Sequence, residues 1–254
     1  MADLYVQRDQ PPGVPPLSLT GERTLPDVPE ENYWFRRHLV VYEWIAARAH
    51  GRRVVDLACG EGYGSAVLGR TAASVVGVEA NLEAFEHARA KYTGDRVRFE
   101  RTMIELWAGD ADCVVFLQTI EHVQDPDAVM AHIRELIGPG GVAYVSTPNV
   151  LTLAPPGASK SGNPWHVREY RAEEYRALCE RHFGSVDLLG LFHARKLRAH
   201  QWGIEHAGWD AVHARLGMTR AFYDRFTPAI STRDFALRRT GFDRALDFLA
   251  VLRV

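Results

Sequence analysis

The 254-residue sequence predicts an α/β fold: a doubly wound, mostly parallel sheet with helices on both faces. Three observations lead there. Short continuous apolar runs alternate with segments of helical spacing from about residue 33 to residue 148. The runs lack a polar alternate face, which is how strands buried on both sides read. The first run ends in a glycine-rich turn that opens a helix, and in open α/β sheets ligands sit beyond such strand ends. Parallel crossovers are right-handed, so the helices divide between the two faces.

The elements follow in order. Residues 1–32 are Pro-rich and polar, and read as a flexible N-terminal arm or a strap over the surface. "ENYWFRRHLVVYEWIAARAHG" has helical spacing, with Gly51 where a C-cap belongs. "RRVVDLA" (Arg52 to Ala58) reads as a strand and "GSAVLGRTA" as a helix. "SVVGVEA" is a strand, and "NLEAFEHARAKY" a helix with Asn81 as N-cap. "VRFER" and "ADCVVFL" are strands, "PDAVMAHIRELI" is a helix with Pro126 in its first turn, "GPGG" a turn and "VAYVSTP" a strand. A loop to Val167, a helix "RAEEYRALCERH" and a strand "GSVDLLGLF" come next. Residues 193–246 read as a helical, irregular insertion before the last strand, "LDFLAVLRV". Residues 33–254 are therefore taken as one domain carrying that insertion.

Composition narrows the function. A formal net charge of −2 gives no field for a polyanion, so no nucleic-acid partner is expected. No segment approaches a membrane span, and the N-terminus lacks the apolar core of a signal peptide. Cys59, Cys113 and Cys179 are odd in number and match no metal or redox spacing. A reducing, cytoplasmic setting is the expectation.

"VVDLACGEGYG" (Val54 to Gly64) carries the strongest signal. Its third glycine comes one residue early for the dinucleotide fingerprint, whose third position is held by Ser65. Asp56, on the strand before the glycines, would repel a pyrophosphate but suit an ammonium group. Glu79, at the end of the second strand, can accept from both hydroxyls of a ribose. An acid, a glycine loop and a second acid suit a nucleoside with a positively charged amino-acid tail. A purely structural glycine loop and a nicotinamide oxidoreductase are the competing readings. The second would need hydride-transfer machinery such as a Tyr-xxx-Lys pair, which is absent after the fourth and fifth strands.

On these residues the chain resembles the class I S-adenosylmethionine (SAM)-dependent methyltransferases. "VVDLACGEGYG", "VVGVEAN", "RTMIEL", "DCVVFLQTIEHV" and "LIGPGGVAYVSTPN" fall in that family's order over about residues 33–192. The resemblance implies a Rossmann-like, seven-stranded sheet. It also implies that Glu79 binds the ribose with Ala80 beside it, and that Gly60 and Gly62 line the methionine portion. Met103 and Ile104 would flank the adenine, and Leu117 and Gln118 would pass the sulfur. Asp56 would act on the amino group through water or backbone. "ENYWFRRH" resembles the aromatic-plus-arginine helix that closes over the cofactor in relatives. Arg36 would then meet the methionine carboxylate and Trp34 would cover it, packing of a helix face being the alternative for Trp34.

A hydroxyl is a poor nucleophile at neutral pH, so methyl transfer to oxygen needs a base or a metal. "QTIEHV" places Gln118, Glu121 and His122 just past the fourth strand. For His122 three readings stand side by side: a structural hydrogen bond at a helix start, a general base, or a metal corner formed with Gln118 and Glu121. Oxygen ligands plus one imidazole suit Mg²⁺ or Mn²⁺. Ubiquinone-pathway O-methyltransferases carry an E-x-x-E-H cluster here that holds a divalent ion, and Gln118 departs from it. His166, in "NPWHVREY", becomes the base if the metal takes His122; the alternative is a loop histidine packed beside Trp165.

The nucleic-acid amino-methyltransferase signature is missing at "LQTIE", so base N-methylation is not expected. The insertion's His193, His200, Trp202, His206, Trp209 and Tyr223 suit a sugar or polyphenol pocket, an insert core or a homodimer face. "SGNPWHVREYRAEEYRALCERHFGSVDLLGLF" resembles actinobacterial methyltransferases acting on saccharides, including those that 1-O-methylate polymethylated polysaccharides with Mg²⁺. That resemblance implies a small saccharide acceptor. A phenolic or polyketide acceptor is the second reading. A SAM-binding protein without catalysis is the third, and the intact polar cluster argues against it.

Overall fold

The computed structural model describes residues 6–7, 9–21, 23–155, 157–207, 209 and 220–254. Helix α1 (Asn32–Ala46) precedes the alternation β1 (Arg53–Leu57), α2 (Tyr63–Leu68), β2 (Ser74–Val78), α3 (Leu82–Tyr92) and β3 (Val97–Glu100). Then come β4 (Ala111–Leu117), α4 (Pro126–Leu136), β5 (Ile137–Pro148), the single turn α5 (Val150–Leu153), α6 (Ala172–His182) and β6 (Ser185–His193). The described part of the insertion supplies α7 (Arg195–Ala207), α8 (Arg220–Phe226) and β7 (Phe235–Arg238) before β8 (Asp247–Arg253).

The strands form a single sheet in the order β3-β2-β1-β4-β5-β8-β6-β7. Strands β1 to β5 pair in parallel, β8 runs antiparallel between β5 and β6, and β7 runs antiparallel on the outer edge of β6. The sheet therefore has eight strands, one more than expected. The extra strand is "FALR", which pairs from His193↔Phe235 to Gly190↔Arg238. It eluded the sequence pattern because it has only four residues, of which Phe235 alone is buried. Residues 208 and 210–219 of the insertion lie outside the described residues.

Alternation along the strands explains the two cores. Cys113, Val115 and Leu117 face α1 and α2, while Val114 and Phe116 face α4 and α6. Helix α3 starts where Asn81 accepts from the amide of Ala84 at 3.0 Å, and α4 starts where Asp125 accepts from Ala128 at 2.9 Å. Two boundaries moved. Helix α1 ends at Ala46, so Gly51 (φ +69°) serves the turn into β1 and not a C-cap. The "GPGG" turn is taken into the start of β5: Ile137 already pairs with Ala111, and Gly140 (φ +76°) bends the strand.

Two long-range features brace the site. Arg37 forks onto Asp247 at 2.6 and 2.7 Å, joining α1 to the first residue of β8, with both side chains buried. The described residues between 6 and 31 cross the body as a strap, whose Leu17, Leu25 and Val28 form a small buried cluster. Among the described residues, no helix is long and apolar enough to cross a membrane. The three cysteines are buried free thiols.

Candidate active site

A cavity of about 490 Å³ opens at the carboxyl ends of β1, β2 and β4. Its floor is the glycine loop. Gly60 (φ +57°) and Gly62 (φ +96°) take left-handed backbone, and a Cβ on Gly62 would lie 2.7 Å from that of Ala88 in α3. Gly64 lies under the ring of Tyr42, where a Cβ would come within 2.1 Å. The loop is thus pressed between α1 and α3.

Glu79 stands over the loop. One carboxylate oxygen accepts from the amide of Gly60 at 2.9 Å and the other from Asn81 at 2.8 Å. Both bonds fix its orientation and leave lone pairs toward the cavity, where Ala80 and Asn81 also line the wall. Asp56 is fully buried beneath the loop, accepting from Ser65 Oγ at 2.7 Å and from the Tyr42 hydroxyl at 3.3 Å. Burial, helped by the nearby charge of Glu79, pushes its pKa up to about 7 against the hydrogen bonds from Ser65 and Tyr42. Asp56 is one layer below the cavity wall, behind Ser65 and Tyr42.

Leu117, Gln118 and Thr119 form the wall beyond β4. Gln118 sits at φ +52°, and its amide donates to Ser146 Oγ at 3.0 Å. That bond ties the Gln118 amide nitrogen to β5. Met103 and Ile104 follow β3 in a short 3-10 turn, outside the cavity wall; Met103 is exposed and Ile104 packs on the core. Trp34 and Arg36 also lie outside the wall. Trp34 is exposed with the Arg37 guanidinium 4.9 Å from its ring centre, and Arg36 donates to Asn32 at 3.1 Å. Position in α1 explains the difference: His38 and Tyr42, one and two turns further along, are the α1 residues that line the cavity.

The mouth of the cavity is a second polar cluster. Glu121, His122 and His166 each place a ligand atom within 4.8 Å of the other two. Glu121 is buried, and Thr147 Oγ1 donates to it at 3.1 Å. Burial pushes its pKa up to about 8 despite hydrogen bonding, with Asp247 and Glu169 adding to the shift. Nδ1 of His122 is 2.8 Å from the carbonyl of Trp165, so that nitrogen carries the proton and Nε2 faces Glu121 at 4.0 Å. Nδ1 of His166 is 2.7 Å from Glu169, while its Nε2 is 3.1 Å from the Asn163 amide. Glu169 is held below the usual carboxylate range: burial opposes this, but hydrogen bonds from Ser161 and His166 prevail. The loop reaches β4 because the amides of Val167 and Arg168 both donate to the carbonyl of Glu121, at 2.9 and 3.1 Å.

The sequence places His122 and Glu121 together and names Gln118 and His166 as candidates around them; of these His166 comes within 4.8 Å of the pair, and Gln118 lines the cavity wall. The sequence did not single out Tyr42, His38 or Glu169. His38 and Tyr42 follow Trp34 at spacings of four and eight and could have been found from that face; Glu169 carries the signal of an acid three residues after a histidine.

Similarity to known proteins gives the family and the fold. A family described as a methyltransferase domain matches residues 32–214. A probable S-adenosylmethionine-dependent methyltransferase of Mycolicibacterium smegmatis is 43% identical over 92% of this chain and 94% of its own length. A protein of the same description from Mycobacterium tuberculosis is 37% identical over 91% and 86%. A ubiquinone biosynthesis O-methyltransferase of Erwinia tasmaniensis is 33% identical over 42% of this chain and 48% of its own. Among solved structures, a SAM-dependent methyltransferase from Thermotoga maritima superposes with a TM-score of 0.58 at 16% identity, covering 89% and 95% of the two chains. Magnesium protoporphyrin IX methyltransferase of Synechocystis, with S-adenosylhomocysteine bound, gives 0.50 at 21% identity over 63% and 77%. The chain belongs to the class I S-adenosylmethionine-dependent methyltransferases.

Proposed function

We propose that this methyltransferase moves the methyl group of SAM to a hydroxyl of a small saccharide, assisted by a divalent cation. The cofactor lies in the cavity with its ribose on Glu79, its methionine end over Gly60 and Gly62, and its sulfur toward Leu117 and Gln118. One observation carries the acceptor side: Glu121, His122 and His166 converge to within 4.8 Å at the cavity mouth.

The donor set fits a cation. In ligating histidines the ring nitrogen away from the metal usually donates to a carbonyl or carboxylate, which fixes the tautomer. His122 has Trp165 for this and His166 has Glu169. Glu121 would supply the charge, and Asn163 would give up its contact with His166. Two imidazoles and one carboxylate suit Mn²⁺ better than Mg²⁺. When bound, such an ion lowers the pKa of a hydroxyl that meets it, so methyl transfer to oxygen needs no strong base.

The protein's own groups do the rest. Transfer is an in-line displacement in which the positive charge on sulfur is lost, so the chain must align the two partners and exclude water. Leu117 and Thr119 wall the sulfur side. Trp165 lines the mouth with 49% of its surface exposed, giving a sugar ring an apolar face beside polar groups. The relatives named for O-methylation in ubiquinone biosynthesis support an oxygen acceptor and keep a phenol as the second substrate class.

A second reading of the chemistry rests on the His166–Glu169 contact of 2.7 Å, which also suits a general base held by an acid. Transfer of labelled methyl from SAM across saccharides and phenols, with and without EDTA, tests both. Saccharide labelling that EDTA abolishes and Mn²⁺ restores supports the proposal. Full labelling after chelation excludes the cation and favours a histidine base, which loss of labelling in His166→Ala would assign to His166, and labelling of phenols alone overturns the saccharide.

A further inference from the structure

Arg23 lies in the N-terminal strap, outside residues 32–214 that the methyltransferase family covers, yet it lines the cavity. Among the described residues it is the one arginine or lysine in that wall, and it makes no hydrogen bond or ion pair with the others. A half-buried arginine with no partner among the described residues, facing a ligand cavity, is a cation in want of an anion.

The strap is fastened on both sides of Arg23. His87 Nδ1 lies 2.6 Å from the carbonyl of Pro15, Lys91 donates to Asp27 at 2.5 Å, and Leu17, Leu25 and Val28 are buried together. The adjacent Thr24 is 3.2 Å from His38 Nδ1. His38 lies one turn before Tyr42, whose hydroxyl reaches Asp56 below the glycine loop. The contacts Thr24–His38, the α1 turn and Tyr42–Asp56 thus lead from the strap to the methionine end of the cofactor cavity, away from the ribose end at Glu79 and Asn81.

The charges at that end are otherwise engaged. Glu61 takes His87, Lys91 and the Tyr92 hydroxyl, each at 2.9 Å. Burial lowers the pKa of His38 to about 4, so its ring is neutral at physiological pH. Arg36, expected to meet the carboxylate, is outside the wall. The methionine tail carries one carboxylate, and a guanidinium can bind it in a planar two-point contact.

We propose that Arg23 binds the α-carboxylate of the cofactor's methionine tail, making the strap part of the cofactor site. This rests on the cofactor placement given above. The test is calorimetry on the full chain with S-adenosylhomocysteine, which has the amino-acid tail, and with 5′-methylthioadenosine, which lacks it. Arg23→Ala should weaken S-adenosylhomocysteine at least about tenfold, close to the 1.4 kcal/mol of one charge-assisted contact, and leave methylthioadenosine within about twofold. Arg23→Lys should recover part of the loss, keeping the charge without the fork. Unchanged affinity for S-adenosylhomocysteine in Arg23→Ala overturns the proposal, and so does an equal loss for both ligands, which would mean that Arg23 only holds the strap in place. Glu79→Ala is the separate check on the placement: it should weaken both ligands, and if both bind unchanged the placement falls and the proposal with it.

Discussion

The two halves of the site are built differently. The cofactor half, from Asp56 to Asn81, is set by backbone: left-handed glycines, a strand end, and main-chain amides that aim Glu79. The acceptor half joins a turn after β4 to a loop more than forty residues further on, through two amides of that loop donating to the carbonyl of Glu121. The first half is the one proposed to hold SAM, the cofactor of this family. The second half sits on connecting segments, where one fold changes its chemistry without disturbing the sheet. Variants in the two halves should accordingly move different observables.

The largest effect is expected on the acceptor side. His166→Ala should lower turnover about 10²–10⁴-fold, the range for losing a positioned catalytic group, with S-adenosylhomocysteine affinity within about twofold. A parallel fall in cofactor affinity would show that the halves are not separable. Glu79→Ala should do the reverse in kind, weakening S-adenosylhomocysteine about 100-fold by calorimetry, since it removes the acceptor proposed for two ribose hydroxyls and leaves the Gly60 and Asn81 amides unpaired. Gly62→Ala should add strain of about 1–3 kcal/mol at its left-handed backbone, plus the clash with Ala88, read as a lower Tm and lost cofactor binding. Gly60→Ala, with open space around its Cβ, should cost less.

The contrast between halves also governs what the sequence made legible. Asp56, the glycines and Glu79 lie within a short strand-turn-helix-strand unit, so their spacing alone reports their geometry. Strands β1 to β5 were legible for the same reason, as continuous apolar runs. His166 was legible as a candidate base but not as a neighbour of Glu121, because nothing in the spacing of "QTIEHV" and "NPWHV" says that the two loops bond to each other. The backbone of Gln118, at positive φ, and the bond from its amide nitrogen to Ser146 are conformational facts that no spacing reports. Strand β7 was too short and too exposed to carry a period, and the strap's Arg23 sits in a Pro-rich stretch with no pattern.

A smaller effect probes the support of the acceptor half. Glu169→Gln keeps the shape but not the charge that orients His166, and should cost turnover about 10–100-fold, the range for a residue behind a metal ligand. A loss confined to KM would argue against that role. The smallest effect is on stability. Burial raises the folded pKa of Glu121 from 4.5 to about 8, so the folded state favours its proton. Without a cation, Glu121 therefore costs stability progressively as pH rises through that window, and nothing below it. Glu121→Gln should raise Tm at pH 8 and leave it almost unchanged near pH 4.5. An equal gain at both pH values would mean that packing, and not charge, is responsible.

The central claim is that Glu121, His122 and His166 form one cation site at the mouth of the cofactor cavity. Mn²⁺ titration followed by electron paramagnetic resonance tests it directly on the wild type, His166→Ala and Gln118→Ala. The account predicts a single site in the wild type, lost in His166→Ala and kept in Gln118→Ala. Absence of a Mn²⁺ site in the wild type, or a site that survives His166→Ala and vanishes in Gln118→Ala, would contradict it.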